Sequence, residues 1–308
     1  MILVCGEALM DVVRDADGTE RETPGGGPFN TARALGRLAV PVGFLGHLSS
    51  DARGRRLAEC LRADGVSLEL PGVGPEPTTV AAATLDAEGR ASYRFQVAGT
   101  AAPNLTLDHL LQELGPEVQA LHVGTLGLVL EPMASTVAAL VRREHGRRLV
   151  AIDPNVRAGL IDDAAYRQRL HEQLGLSTLV KASAADLAWV YPDLDAEAAA
   201  ERLLDRGVRL VVITLGPEGA WASGNGAHAR VPAPPVSVVD TIGAGDAFGA
   251  AVLAWLYEHD ALDRDLRLEA GQLRSLLEFA CQVAALTCAR AGAEPPWRRE
   301  LAGAGPPE

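Results

Sequence analysis

The residues best suited to chemistry lie in one helix-opening run, Val239-Asp240-Thr241-Ile242-Gly243-Ala244-Gly245-Asp246-Ala247-Phe248. Two glycines separated by one small residue let the backbone approach an anion and aim successive N–H groups at it. The helix that follows adds the partial positive charge of its amino end. A carboxylate at such a turn would repel phosphate, so Asp246 makes sense there if it faces a nucleophile instead. Beside a transferring phosphoryl group, an Asp orients a hydroxyl and accepts its proton, a contribution of about 10²–10⁴ in rate. Asp246 could equally be the N-cap of the helix, a common place for Asp. GxxxxGK[ST] occurs nowhere, which excludes a P-loop. A Rossmann turn fits poorly, because Gly243-x-Gly245 comes late and Gly249 falls one residue too far along.

A second glycine cluster, Gly25-Gly26-Gly27-Pro28-Phe29-Asn30, leads into an Ala/Leu/Arg helix. Glycines there permit close ligand approach. Asn30 both donates and accepts, which suits a polyhydroxylated ligand. Asp11 comes just after the first strand, and ligands of open parallel sheets lie at the carboxyl ends of strands. Taken singly, these features have plainer explanations: a flexible loop, a helix cap and a turn residue. Their conjunction with the late glycine turn favours a site.

The elements that must position these groups follow from hydropathy. Short apolar runs at 1–5, 42–45, 120–123, 148–152, 178–180 and 209–214 lack period-two alternation and read as strands buried on both faces. Between them, helical spacing covers 30–38, 54–64, 133–145, 164–174, 196–205, 246–259 and 273–290. Strand then helix, repeated, predicts a parallel sheet covered by helices. Residues 78–86 and 91–97, joined at Ala87-Glu88-Gly89-Arg90, read as an exposed hairpin, and 11–23 as two short strands around Ala16-Asp17-Gly18. These form either a small second sheet inserted in the main domain or an edge extension of the main sheet. The tail 302–308 has no core-forming residues and is expected to fray.

Composition narrows the classes. The 308 residues are 48% apolar and 22% charged, which is globular composition. A chain of this length suits one large α/β domain, or one with a small appendage, and buries roughly three quarters of its unfolded surface. A net charge of −12 opposes sequence-independent binding to nucleic acid or to an anionic membrane. Thirteen scattered aromatic residues leave little for a base-stacking platform. Cys5, Cys60, Cys281 and Cys288 form no CxxC pair and read as small buried hydrophobes rather than zinc ligands. No run approaches 18 apolar residues, and the first residues lack a basic segment and a cleavage site. A reduced, cytoplasmic protein is expected.

On these motifs the chain resembles the ribokinase-like carbohydrate kinases of the phosphofructokinase-B group, from Gly6 to about Trp297. Asp240-Thr241-x-Gly243-Ala244-Gly245-Asp246-x-Phe248 is the most specific motif, with Gly26-Gly27 and Asn30 second. Glu131-Pro132, Asp153-Pro154-Asn155-Val156-Arg157 and Val180-Lys181-Ala182-Ser183 are most similar to the fructokinase branch. The resemblance implies a single domain over 1–308 with three layers, α-β-α, around a mostly parallel sheet, and a small β-sheet lid formed by 11–23 and 78–97. It implies Asp246 as catalytic base and Gly243, Ala244 and Gly245 as the anion hole. Asp11, Gly26, Gly27 and Asn30 would bind sugar. Arg157 and Lys181 match basic positions near the phosphates, although either could be ordinary surface charge. Thr214, Gly216 and Gly219 resemble the turn along the nucleotide.

ATP and Mg²⁺ are the implied cofactors, with K⁺ at Asp240 and backbone carbonyls of Ile242 and 287–292. Where the superfamily often carries Asn-x-x-Glu, this chain has Ser183-Ala184-Ala185-Asp186, a pair expected to order water around Mg²⁺ with a shorter reach. The implied reaction is phosphorylation of a ketose hydroxyl, fructose to fructose 6-phosphate. A 2-keto-3-deoxygluconate kinase is the rival enzyme, with Arg94 or Arg157 facing the extra carboxylate. A non-catalytic sugar-binding module is the rival of another class, and the intact glycine turn disfavours it. Lid strands in this group can carry dimer contacts, which leaves a homodimer open.

Overall fold

The structure, a computed structural model, describes residues 1–14, 20–70, 72–85, 91–110, 113–157 and 164–301. The first half of the chain runs β1 (Ile2–Cys5), β2 (Leu9–Arg14), β3 (Glu20–Gly25), α1 (Gly27–Arg37), β4 (Val42–Leu45), β5 (His47–Ser49) and α2 (Ala52–Ala63). It continues through β6 (Gly72–Gly74), β7 (Val80–Leu85), β8 (Ala91–Gln96), β9 (Ala120–Gly124), α3 (Met133–Glu144) and β10 (Leu149–Asp153). The second half holds α4 (Ala164–Leu176), β11 (Leu179–Ser183), α5 (Ala184–Val190), α6 (Ala196–Asp205), β12 (Leu210–Thr214), β13 (Ala220–Gly224) and β14 (Ala227–Val231). Helices α7 (Ala244–Glu258), α8 (Ala270–Cys288) and α9 (Arg298–Leu301) close it.

The main sheet has the order β14-β13-β12-β11-β10-β9-β1-β4. All its pairings are parallel except those of β13 and β14 at one edge. Side chains that alternate along each strand feed two cores. Ile2 and Val4 join α1, α2, α7 and α8 on one face, whereas Leu3 and Cys5 join α3, α4, α5 and α6 on the other. Both faces are dry, which is why these strands read as continuous apolar runs. The result is a three-layer α-β-α architecture.

A separate sheet has the order β3-β2-β7-β8. Within it β2 and β7 are parallel and the outer pairs antiparallel, so a second sheet, rather than an edge extension, is what forms. The turns expected at 16–18 and 87–90, and the tail 302–308, lie outside the described residues. Leu9 of β2, Ala81 of β7 and Leu126 share a small apolar cluster that seats this sheet on the main one. Hydropathy missed the β5–β6 pair, the β13–β14 hairpin and α5, all short elements. Four helices, α1, α2, α7 and α8, also begin two or three residues earlier than expected. Helix α1 starts at Gly27 because Pro28 fits a first helical turn, and α7 starts at Ala244 with Gly243 as its N-cap. Cys281 and Cys288 both lie in α8 and are free thiols.

Candidate active site

The turn before α7 is clasped to the segment after α8. Asp240 accepts the Ile242 N–H at 3.0 Å and the Gly292 N–H at 2.9 Å, while the Cys288 carbonyl accepts the amides of Val239 and Asp240. Gly243 is held at φ 74, and a Cβ there would lie 2.5 Å from Ala293 Cβ, so both conformation and space require glycine. The Ala244 N–H is taken by the Thr241 carbonyl at 3.2 Å. Among the described residues, the turn's amides left without an acceptor are those of Thr241, Gly243, Gly245 and Asp246, the last three at the helix start. Three free N–H groups at the start of a 15-residue helix form an anion cradle. The set differs by one from the expected Gly243, Ala244 and Gly245, because the Ala244 amide is spent in closing the turn.

Asp246 is the third residue of α7, not its cap. Only 9% of its surface is exposed. One carboxylate oxygen accepts Asn30 Nδ2 at 2.9 Å, and the other faces Asn155 Nδ2 at 3.5 Å. Asn30 projects from α1, and its buried Oδ1 has no partner among the described residues. Asn155 also donates to Thr125 Oγ1 at 3.3 Å. Thr125 and Asn155 hold φ values of 50 and 39, rare for residues with side chains. Gly27 completes the ring, since a Cβ there would stand 2.3 Å from Thr125 Oγ1 and 3.4 Å from Asp246 Oδ1. A carboxylate, an unsatisfied amide oxygen and a hydroxyl thus converge where the anion cradle begins.

Residues 1–299 match the sequence profile of the pfkB family carbohydrate kinases. The chain belongs to that family. A fructokinase from Rhizobium leguminosarum bv. trifolii is 40% identical over 285 residues, which cover 91% of this chain and 85% of that protein. The crystal structure of fructokinase with bound ATP from Xylella fastidiosa has a TM-score of 0.86 at 25% identity, covering 98% of this chain and 96% of that one. Fructokinase from Vibrio cholerae O395 in its fructose, ADP and calcium ion bound form has a TM-score of 0.84 at 25% identity, covering 98% and 97%. As a pfkB carbohydrate kinase the chain is a phosphotransferase with a sugar hydroxyl as acceptor.

In this kinase fold, charge gathers beneath the anion cradle. Lys181 on β11 is buried and ion-paired with Asp153 Oδ2 at 2.7 Å, and it lies 3.3 Å from where a Cβ on Gly245 would sit. Burial alone would favour a neutral amine, but Asp153 holds Lys181 charged and pushes its pKa up. Burial pushes Asp246 up to about 7; the Asn30 hydrogen bond opposes this, Asp153 adds to it, and Lys181 and Arg157 oppose it. Arg157 is exposed, and its charge favours the ionised forms of Asp11, Asp153 and Asp246. Asp11 is pushed up to about 6 by burial. It follows the first strand and lies within β2 of the small sheet, opposite Thr23 and Ala81. Gly25 leaves room for its carboxylate, which would otherwise stand 2.0 Å from a Cβ.

The structure gives Asp186 and Gly219 local roles of their own. Both carboxylate oxygens of Asp186 are held by protein donors. Its Oδ1 accepts the Val156 N–H at 2.7 Å, and its Oδ2 accepts the Ser183 N–H and hydroxyl at 2.8 and 2.6 Å. Ser183 and Asp186 form the capping box of α5, which also anchors the stretch bearing Asn155 and Arg157. Gly219 serves packing, since a Cβ would lie 2.0 Å from the Val231 carbonyl. Thr214 ends β12, and Gly216 at φ 59 opens an exposed turn closed by the Leu215 N–H to Gly219 carbonyl bond. Among the described residues no three His, Cys, Asp or Glu side chains converge on a resident metal site. Asp153 Oδ1, however, is buried without a partner among the described residues. That spare oxygen fits Mg²⁺ arriving with nucleotide phosphates, an ion that keeps its water and needs few protein ligands.

Residue reasoning gave no role to Glu7, Thr125, Asp153 or Asn155. Thr125 and Asn155 follow β9 and β10 within two residues, and Glu7 follows β1 likewise. The rule that places ligands at the carboxyl ends of parallel strands could have found all three. Two clefts of about 570 and 370 Å³ open at the other end of the sheet, lined by Arg147, Arg209, Arg264 and Asp265 among others, and take no part in this site.

Proposed function

We propose that this chain is an ATP-dependent fructokinase that makes fructose 6-phosphate with Asp246 as the base. One observation carries this. The Asp246 carboxylate, with the unpartnered Asn30 Oδ1 beside it, adjoins the free amides of Gly243, Gly245 and Asp246. Acceptors for hydroxyl groups thereby meet donors for an oxyanion at one helix end.

The acceptor hydroxyl gives its proton to an Asp246 oxygen. The hydroxyl oxygen then bonds the γ-phosphorus while the bond to the bridging oxygen breaks, and ADP leaves with that electron pair. The three amides stabilise charge on the transferred group. Mg²⁺ neutralises phosphate charge when bound, and Asp153 would hold it through water. Lys181 supplies a fixed positive charge under the cradle, and Arg157 supplies one at its rim. The exposed apolar strip Val236, Val238, Val239 and Ile242 suits the flat face of adenine. Thr214 and the 216–219 turn border its start, where Gly219 abuts Val231 and Ala233. Asp240 remains a candidate K⁺ ligand through oxygens already bonded to two amides.

Residues 11–23 and 78–97 act as the lid of one domain spanning 1–308. Closure would exclude water from the phosphoryl group. Fructose is supported by the named relatives and by chemistry: a neutral ketose suits a site edged by Asp11, Asp153 and Asp246 better than a sugar acid does. Four free cysteines and the need for ATP fit a reducing, cytoplasmic setting.

The test is ADP release over a panel of neutral sugars and 2-keto-3-deoxygluconate, with and without K⁺, and phosphorus NMR of the product. Fructose should give the highest kcat/KM, with phosphate on O6. Preference for the sugar acid would overturn the fructose assignment, and no turnover of any sugar would overturn the kinase itself.

A further inference from the structure

Glu7 is wholly buried two residues past β1, and the chemistry above does not use it. Its Oε1 accepts the Gly27 N–H and its Oε2 the Gly127 N–H, each at 3.1 Å. The first amide opens α1; the second belongs to the 3-10 turn Thr125–Leu128. Among the described residues no hydrogen bond joins these two segments directly, so Glu7 is their polar link.

The gap it spans is the one an acceptor hydroxyl must enter, bounded by the Gly27 α-carbon, the Thr125 hydroxyl and the Asp246 carboxylate. Burying a carboxyl is costly, and an apolar side chain of similar size would avoid that cost. What the carboxyl adds is two hydrogen bonds of fixed length to two separate backbones. Thr125 and Asn155, held at positive φ on the far side of the gap, persist only where their surroundings restrain them.

We propose that Glu7 is a positioning residue for the sugar: it sets the spacing between Gly27 and Thr125, and through them the approach of the acceptor hydroxyl to Asp246. This rests on the sugar-kinase function proposed above. In Glu7→Gln the side-chain oxygen keeps one N–H, while its NH₂ group opposes the other. The sugar KM should rise at least ~10-fold and kcat should fall, with the ATP KM changed less than about twofold. Gly127→Ala is the second probe. Its new Cβ would stand 3.2 Å from Gly6 Cα, moving the turn while leaving the Glu7 carboxyl in place, and the same split is expected.

Steady-state kinetics for both substrates, with melting curves, read the result. A lowered melting temperature with sugar KM and kcat within about twofold of wild type in both variants would reduce Glu7 to a structural role. If Glu7→Gln does not fold, Gly127→Ala decides alone. Wild type assayed alongside separates the two claims. An active wild type with unaffected variants overturns only the Glu7 assignment, whereas an inactive wild type removes the sugar-kinase function and this inference with it.

Discussion

Asp246 concentrates the chemistry at the scale of single residues, because burial and an amide donor act on one carboxylate. Asp246→Asn keeps the shape and the Asn30 neighbour but removes the proton acceptor. Turnover should drop by at least about 10², while calorimetry still detects sugar and nucleotide binding. Near-wild-type kcat would remove Asp246 from the role of base. The same carboxyl sets a pH dependence. Burial raises it to about 7, so it is protonated and unable to act as base below that value and ionised above it. The pH profile of kcat/KM for the sugar should therefore rise through about pH 7 and level off, reporting the free enzyme. A profile already flat from pH 5 to 8 would contradict the placement of this group. Asp246 was legible from spacing alone, whereas Asn155 was not: its contribution depends on a positive φ and on a contact across 91 positions of chain.

At the scale of elements, the amino end of α7 works because the turn before it is tied down from outside the helix. Gly243→Ala adds a methyl 2.5 Å from Ala293 Cβ at a backbone angle of 74°. A left-handed residue with a side chain costs about 1–2 kcal/mol, and the clash adds to it. Thermal melts should show that loss, and the ATP KM should rise because the free amides move. Helix α2 has an analogous tie to the small sheet. Asp51 caps it through the Gly54 N–H at 2.7 Å and also accepts the N–H and hydroxyl of Thr78, which leads into β7, at 2.9 and 2.6 Å. Burial alone would raise the Asp51 carboxyl, yet the Thr78, Gly54 and Ser49 hydrogen bonds hold it down at about 2. Asp51→Ala should cost about 1–3 kcal/mol in denaturant unfolding. Periodicity located both helices but not their ends, since those depend on partners such as Ala293 and Thr78 that are distant in sequence.

For the whole molecule, two sheets meet beside the candidate site. Asp11 belongs to the small sheet, Asn30 to α1 and Asp246 to α7, with Leu9, Ala81 and Leu126 at the junction. Ligand binding should therefore stabilise the entire fold by mass action. Fructose at 100 times its Kd should contribute about 2.7 kcal/mol, seen as a concentration-dependent rise in Tm. Asn30→Ala, lacking the unpartnered oxygen, should lose that rise at the same fructose concentration. An equal rise in the variant would show that Asn30 does not contact the sugar. Among the described residues no helix is long and apolar enough to cross a membrane.

The sequence by itself determined the parallel core strands, most of the long helices and the glycine turn with its Asp, because these depend on periodicity and on local backbone freedom. It also suggested a separate small sheet from alternation in 78–97. Tertiary structure alone decided which amides of the 243–246 turn stay free and that Asp186 completes the capping box of a helix. Only there does Glu7 appear as a link between two segments. Each of these turns on which donor reaches which acceptor first across long stretches of chain, and that competition is settled by packing rather than by spacing along the sequence.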